Sequence, residues 1–181
     1  MIRLETPRLI LRQWRDSDRA PFAAMNADPR VMRYFPSTLT RVESDALVDR
    51  AEAAIDRDGF GLLAVELREG CEFIGYIGLA VPTFEAHFTP CVEIGWRLAA
   101  EYWNRGLATE GAHEVLRHWP GDLVSFTTVA NIPSRRVMEK LGFTHDTAED
   151  FDHPRLPQGH PLRRHVLYRR ATRRSVAMLR S

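Results

Sequence analysis

Residues 92–111, VEIGWRLAAEYWNRGLATEG, run from an alternating apolar stretch through a loop into a small-residue helix start. The alternation over 91–98 predicts a strand. A helix of about a dozen residues begins near Gly106 and turns Leu107, Ala108, Gly111, Ala112, Val115 and Leu116 to one side. A helix start has unpaired backbone N–H groups and a partial positive charge, so this joint is an anion site made of backbone. Gly106 and Ala108 are small enough to let a phosphate approach, while Arg105 can add charge and Thr109 a hydroxyl. The segment carries neither the P-loop pattern nor the G-x-G-x-x-G dinucleotide turn. Taken alone it also reads as a tightly packed helix start with no ligand.

On the N-terminal side, residues 7–13 predict a strand and Asp16-Ser17-Asp18 supplies N-cap chemistry for a helix through about Met25. Asp28-Pro29 stops that helix. Thr40 and Glu43 have the spacing of a capping box, and the helix they open ends at Asp58-Gly59, with Leu47, Ala51, Ala54 and Ile55 as its inward face. Residues 61–67 and 73–81 read as a hairpin. On the C-terminal side, 123–129 is a strand and Pro133 opens a short helix to Leu141, with Gly142 as its cap. A strand near 143–148, a proline-rich connection over 149–162 and a last strand over 164–171 follow. The order is strand, two helices, three strands, helix, strand, helix, two strands. It defines an α+β (mixed α/β) domain in which a hairpin-built sheet meets later β-α-β elements. We expect a single domain over 1–181, with a basic tail from about residue 172.

The 181 residues and 44% hydrophobic content support one real core. A net charge of +1 calls for no nucleic-acid partner, and the many arginines, beside the single lysine Lys140, reflect codon preference more readily than RNA contact. Arg173, Arg174 and Arg180 make the end of the chain basic. Cys71 and Cys91 form no ligand pair and the histidines are scattered, so no metal is expected. Two lone cysteines, an N-terminus charged from residue 3 and no apolar run near the roughly 18 residues that span a membrane predict a cytoplasmic protein with no membrane partner.

Three segments together resemble the GNAT N-acetyltransferase superfamily, and within it the RimJ/RimL-like branch. ETPRLILRQW (5–14) is similar to that branch's first strand, 92–111 to its cofactor strand and cradle, and NIPSRRVMEKLGF (131–143) to its second cofactor motif. The resemblance covers nearly the whole chain. It implies a mostly antiparallel, partly splayed sheet of about seven strands flanked by about four helices. It also implies acetyl-CoA as co-substrate. Backbone around Trp96, Arg97 and Leu98 would meet the pantetheine arm, and Asn104, Arg105, Gly106, Leu107, Ala108 and Thr109 the pyrophosphate. Asn131 would lie near the thioester and Ser134 near the sulfur. Trp103 replaces the family's usual glutamine or arginine at the opening of the cradle, as is common in the RimJ/RimL-like branch.

Acetyl transfer to an amine needs a neutral amine, a polarised carbonyl and a leaving thiolate. An α-amine (pKa about 7.7–8.0) needs less help than a lysine (about 10.4), and a thiol of pKa about 8.5 leaves with little assistance. Glu93 is the lead general base: alternation places it with Gly95 and Arg97 on one strand face, and an acid there is costly to bury without a purpose. The resemblance agrees, since the histone-acetylating members use a glutamate at the matching place. The other reading is a structural glutamate bonded to Arg97 or to a neighbouring chain. Asp152 and His153 are reserve bases. Met138 occupies the slot of the tyrosine that protonates the thiolate in many relatives, so that role passes to Ser134 or to water, or goes unfilled; Ser134 also reads as a helix-capping hydroxyl.

Phe151, Asp152 and His153, in the long connection, are candidate acceptor-binding residues; the connection also reads as a rigid surface hairpin. Trp14, Tyr34 and Phe35 read as core or as the opposite side of the acceptor pocket. The leading function is transfer of acetyl from acetyl-CoA to a primary amine by direct attack in a ternary complex, the acceptor being a protein N-terminus or a small amine. The alternatives are an acyl-CoA-binding module without turnover and an acetyltransferase for a small-molecule amine. A homodimer is left open.

Overall fold

The computed structural model describes residues 2–171; Arg173, Arg174 and Arg180 of the basic tail lie outside the described residues. In chain order the elements are β1 (Arg3–Glu5), β2 (Leu9–Arg12), α1 (Asp16–Ala27), α2 (Pro29–Met32), α3 (Arg41–Asp58), β3 (Leu62–Leu67), β4 (Phe73–Ala80), β5 (Glu93–Leu98), α4 (Leu107–Arg117), β6 (Leu123–Thr128), α5 (Ile132–Lys140), β7 (Thr144–His145), β8 (Phe151–Asp152) and β9 (Arg164–Arg170). Single turns of 3-10 helix lie at Ala100–Tyr102 and Thr147–Glu149. The described residues thus hold nine strands and five helices, against the seven and four expected. The additions are β1, β8 and α2, which are two to four residues long and too short to show a period.

Local chemistry accounts for the helix limits. Thr40 Oγ1 accepts from Glu43 N at 3.3 Å and Glu43 Oε2 accepts from Thr40 N at 2.7 Å, which is the expected capping box. Gly59 ends α3 with φ 75°. After α5, Gly142 N donates to Glu139 O and Phe143 N to Met138 O, the paired bonds of a Schellman stop around a left-handed glycine. The start of α1 differs from expectation: Arg15 is its N-cap, and Asp18 lies one turn in, accepting from Arg15 N at 2.8 Å and from Arg12 Nη1 at 2.7 Å. Asp28 stops α1 and also caps α2 through Arg30 N. In α3, Val48 and Ser44 are buried in place of Leu47 and Ala54, because Ser44 Oγ accepts from the buried Asn26 Nδ2 and turns that face toward α1.

The strands form one sheet, ordered β1-β2-β3-β4-β5-β6-β9-β7, with β8 on β9. The β3–β4 hairpin is antiparallel, and β5 extends it from Ala80↔Glu93 to Gly75↔Leu98. Helices cover both sides. Phe22 of α1 packs edge-on against Tyr76 of β4, whereas a Cβ on Gly111 of α4 would come within 2.5 Å of Ile77 Cδ1. Adjacent strand residues point to opposite faces, so α1 and α4 lie on opposite sides, and Gly111 lets α4 approach closely. Most buried apolar side chains form one core, while Phe88, Val124, Phe151 and Leu167 form a second.

The sheet has a fork. β5 and β6 are its only parallel neighbours among the described residues, and their register holds one pair, Glu93↔Val124. Past that pair the strands part.

Candidate active site

The fork opens a cavity of about 830 Å³. Backbone groups alternate sides along a strand. Val92 O and Ile94 O face β6, taking Val124 N at 3.0 Å and Ser125 Oγ at 2.9 Å. Leu98 O, on the same side, accepts from the Trp103 indole at 2.8 Å. Trp96 lies between them, beyond the one-pair ladder, so its N–H and C=O face the open fork. The Arg97 backbone turns the other way, toward its partner Tyr76 on β4. Of the three strand positions whose backbone was expected to meet the donor, Trp96 and Leu98 turn theirs to the fork side, and Arg97 turns its backbone away, toward β4.

The start of α4 forms one end of the cavity, where Asn104, Gly106, Leu107, Ala108 and Thr109 all line it. Asn104 (φ 59°) and Gly106 (φ 76°) are both left-handed, which turns the chain into the helix. A Cβ at Gly106 would meet only Arg8 Nη2, at 3.7 Å. Among the protein's own atoms there is room for a Cβ here, and the left-handed φ is what calls for glycine. Arg105 does not line the cavity: its guanidinium lies 5.4 Å from the Tyr102 ring centroid and its carbonyl accepts from Arg8 Nη1 at 3.0 Å. Arg8 also pairs with Glu110, which takes Thr6 Oγ1 at 2.6 Å. Burial opposes ionisation of Glu110, but these bonds hold its pKa below the usual carboxylate value. The β1–β2 corner is thereby fastened to the first turn of α4.

Helix α5 forms a second wall. Asn131 is its N-cap, with Oδ1 accepting from Ser134 N at 3.3 Å and Nδ2 donating to Thr127 Oγ1 at 2.9 Å. Capping therefore belongs to Asn131. The Ser134 hydroxyl makes no hydrogen bond among the described residues and lines the cavity. Met138, 1% exposed, fills the floor beneath it. Arg136 and Lys140 line the same wall. Sequence reasoning passed them over, although their four-residue spacing in the second motif places them on one helix face.

Glu93 lies in the cavity wall at the point of the fork. Among the described residues its carboxylate has no hydrogen bond and no ion pair. Arg97, the expected structural partner, instead donates from Nη1 to Asn26 Oδ1 at 2.7 Å. Burial pushes the Glu93 carboxyl up to about 8. At neutral pH it is mostly protonated, and it becomes a base near the pKa of an α-amine.

The remaining wall is aromatic. Phe126, His153 and His165 line the cavity, and Phe84, Phe88 and Phe151 pack behind them. Of the three loop candidates only His153 reaches the cavity. Phe151 is buried in the second core, and Asp152 is exposed, between Arg163 and Arg164 at 3.3 and 3.5 Å. Burial, then His165 and Arg155, depress the His153 pKa to about 4, so it is a weak base. His165 was not singled out in the sequence. Its Nδ1 lies 3.1 Å from Arg163 O, which can only accept, so Nδ1 holds the proton and Nε2 a lone pair. Tyr34 and Phe35 also line the cavity, whereas Trp14 is core, packed on Phe22 and Phe73.

An open strand edge, a helix start and two helix cations fit an extended phosphorylated thioester, and an unpaired acid lies at the point of the fork. Together they define a coenzyme A-dependent acyltransferase. The chain belongs to the GNAT acetyltransferase family, whose domain model, Acetyltransferase (GNAT) domain, matches residues 8–144. It is 30% identical over 145 residues to the uncharacterized N-acetyltransferase YnaD of Bacillus subtilis, covering 77% of this chain and 81% of that one. An acetyltransferase from Agrobacterium tumefaciens superposes with a TM-score of 0.73 at 26% identity, covering 95% of each chain. RimL, a ribosomal alpha-N-protein acetyltransferase solved with coenzyme A, shares the fold at TM-score 0.75 and 14% identity, covering 94% of this chain and 98% of that one. The protein is an acetyl-CoA-dependent N-acetyltransferase of the GNAT family. No described helix is long and apolar enough to cross a membrane.

Proposed function

We propose that this enzyme acetylates a primary α-amine by direct attack in a ternary complex, with Glu93 as general base. The unpaired Glu93 carboxyl at the fork carries the reading. Its pKa of about 8 lies close to the α-amine's 7.7–8.0, so proton transfer is nearly level. From a lysine the same transfer would climb over two units, about 3 kcal/mol.

Acetyl-CoA supplies the activated thioester. In this reading the α4 backbone amides with Thr109, and the cations Arg136 and Lys140, hold its phosphates, and the Trp96 backbone its arm; their shared cavity supports it. Glu93 takes the proton from the amine. The Trp96 N–H, free at the fork, is positioned to polarise the acyl oxygen. The Ser134 hydroxyl, released from capping duty, can return a proton to the thiolate. Met138 excludes water there and gives no proton. The free thiols Cys71 and Cys91 support work in a reducing compartment such as the cytoplasm.

Free-thiol release with acetyl-CoA tests the proposal, using short peptides with free N-termini beside the same peptides N-terminally blocked with one internal lysine. Turnover on the α-amines is expected. Tight coenzyme A binding with no turnover on any amine would sink it.

A further inference from the structure

The charges around the cavity are lopsided. Glu93 is the only acid among its described lining residues, and it is neutral while protonated. Arg136 and Lys140 stand on the α5 wall, where they serve the donor's phosphates. On the β5 face that carries Glu93 the cation is Arg97, while Arg33 and Arg155 line the cavity from the segments after α2 and before β9. None of these three is ion-paired with a described acid. Arg33 rests 4.7 Å over the Tyr34 ring and Arg155 bonds to Thr83. Arg97 is held by neutral groups alone: Asn26, the Phe35 ring at 4.1 Å and the Tyr76 ring at 5.5 Å. Its Nε is buried with no hydrogen-bond partner.

A guanidinium left with neutral neighbours and an unmet N–H has lost solvation that only an anion restores in full. The same cations repel an acceptor that brings only its own ammonium group. We propose that the amine acceptor also carries a carboxylate, and that Arg97, supported by Arg33 and Arg155, binds it. This rests on the transferase reading above. Four residues along a strand span about 13 Å, so a carboxylate at Arg97 lies several bonds from an amine at Glu93. That spacing favours an acidic side chain near a peptide N-terminus, or a long ω-amino acid, over the α-carboxylate of the reacting residue. The positive wall has a second effect. Nearby like charge lowers the pKa of the bound amine and eases its deprotonation.

Thiol release with two matched pairs tests this. One pair is the peptide amide Ser-Glu-Glu-Phe against Ser-Gln-Gln-Phe; the other is ε-aminocaproate against its carboxamide. We expect the acid member of at least one pair to be favoured about tenfold or more in kcat/KM, and the pair that shows it identifies the source. Arg97→Gln should bring that ratio near unity through the acceptor KM while leaving the KM for acetyl-CoA unchanged. Arg33→Gln, at an exposed position, should lower the ratio by a smaller factor, and it serves if Arg97→Gln no longer binds coenzyme A in calorimetry. Equal or better use of the neutral members in both pairs overturns the inference and leaves the transferase reading standing. So does a rise in the acetyl-CoA KM alone in Arg97→Gln. Turnover on neither member of either pair, with coenzyme A bound, overturns both.

Discussion

Glu93 and Val124 face one another in the single parallel register pair among the described residues, and β5 and β6 separate directly beyond them. The proposed base therefore stands where the β5–β6 ladder ends. Burial comes from the sheet behind it and access from the fork in front.

Glu93→Gln should lower kcat/KM by about 100-fold or more, the usual share of a general base. In the wild type, activity should rise with pH as the carboxyl ionises through about 8. In thiol-release assays between about pH 6 and 9 the variant should stay that far below the wild type, keeping only the slope set by the acceptor's own amine, while binding coenzyme A as before. An unchanged profile removes Glu93 from the mechanism.

The same substitution should stabilise the fold. The carboxyl is raised from 4.5 to about 8 on folding, so between those values the native state holds a proton that the unfolded chain has released. Stability from this group is therefore full below pH 4.5 and falls as pH rises toward 8. Glutamine escapes the loss. We expect Glu93→Gln to gain about 1–3 kcal/mol at pH 8.5 and little at pH 5, read as denaturant midpoints at the two pH values.

Ser134 and Asn131 should separate. Ser134→Ala should leave thermal stability unchanged and cut kcat less than about tenfold, since a thiol leaves with little help. Asn131→Ala removes the cap of α5 and should cost about 1 kcal/mol, visible as a lower Tm. A large Tm loss in Ser134→Ala would return that hydroxyl to a structural role.

Gly106→Ala has room for its methyl group but not the backbone freedom: at φ 76° an alanine is strained by about 1 kcal/mol. Coenzyme A affinity in calorimetry should fall several-fold as the joint relaxes. Unchanged affinity would show that this turn does not shape the cradle.

The parts legible in the sequence were those set within a few residues. The capping box at Thr40 and Glu43, the glycine stops at Gly59 and Gly142 and the joint at Gly106 all depend on near neighbours. The fork was expected only through resemblance, because no local pattern says how far two strands distant in sequence stay paired. The freedom of Glu93 was hidden for a similar reason. Its neighbour Arg97 looked like a partner along the strand, and the side chain that claims Arg97 is Asn26, on a helix of the other layer. His165 was missed because alternation gives a face but not what lies opposite it. Ser134 could be read two ways until Asn131 was seen to cap the helix.

The ties from Thr6 and Arg8 to Glu110, and from Arg8 to the Arg105 carbonyl, couple distant stretches of chain. The opening strands thereby brace a loop in the middle of the polypeptide. A truncation reaching residue 8, or a fusion partner that pulls this corner away, would then act at a distance as an inhibitor of donor capture, leaving every residue of the cavity unaltered.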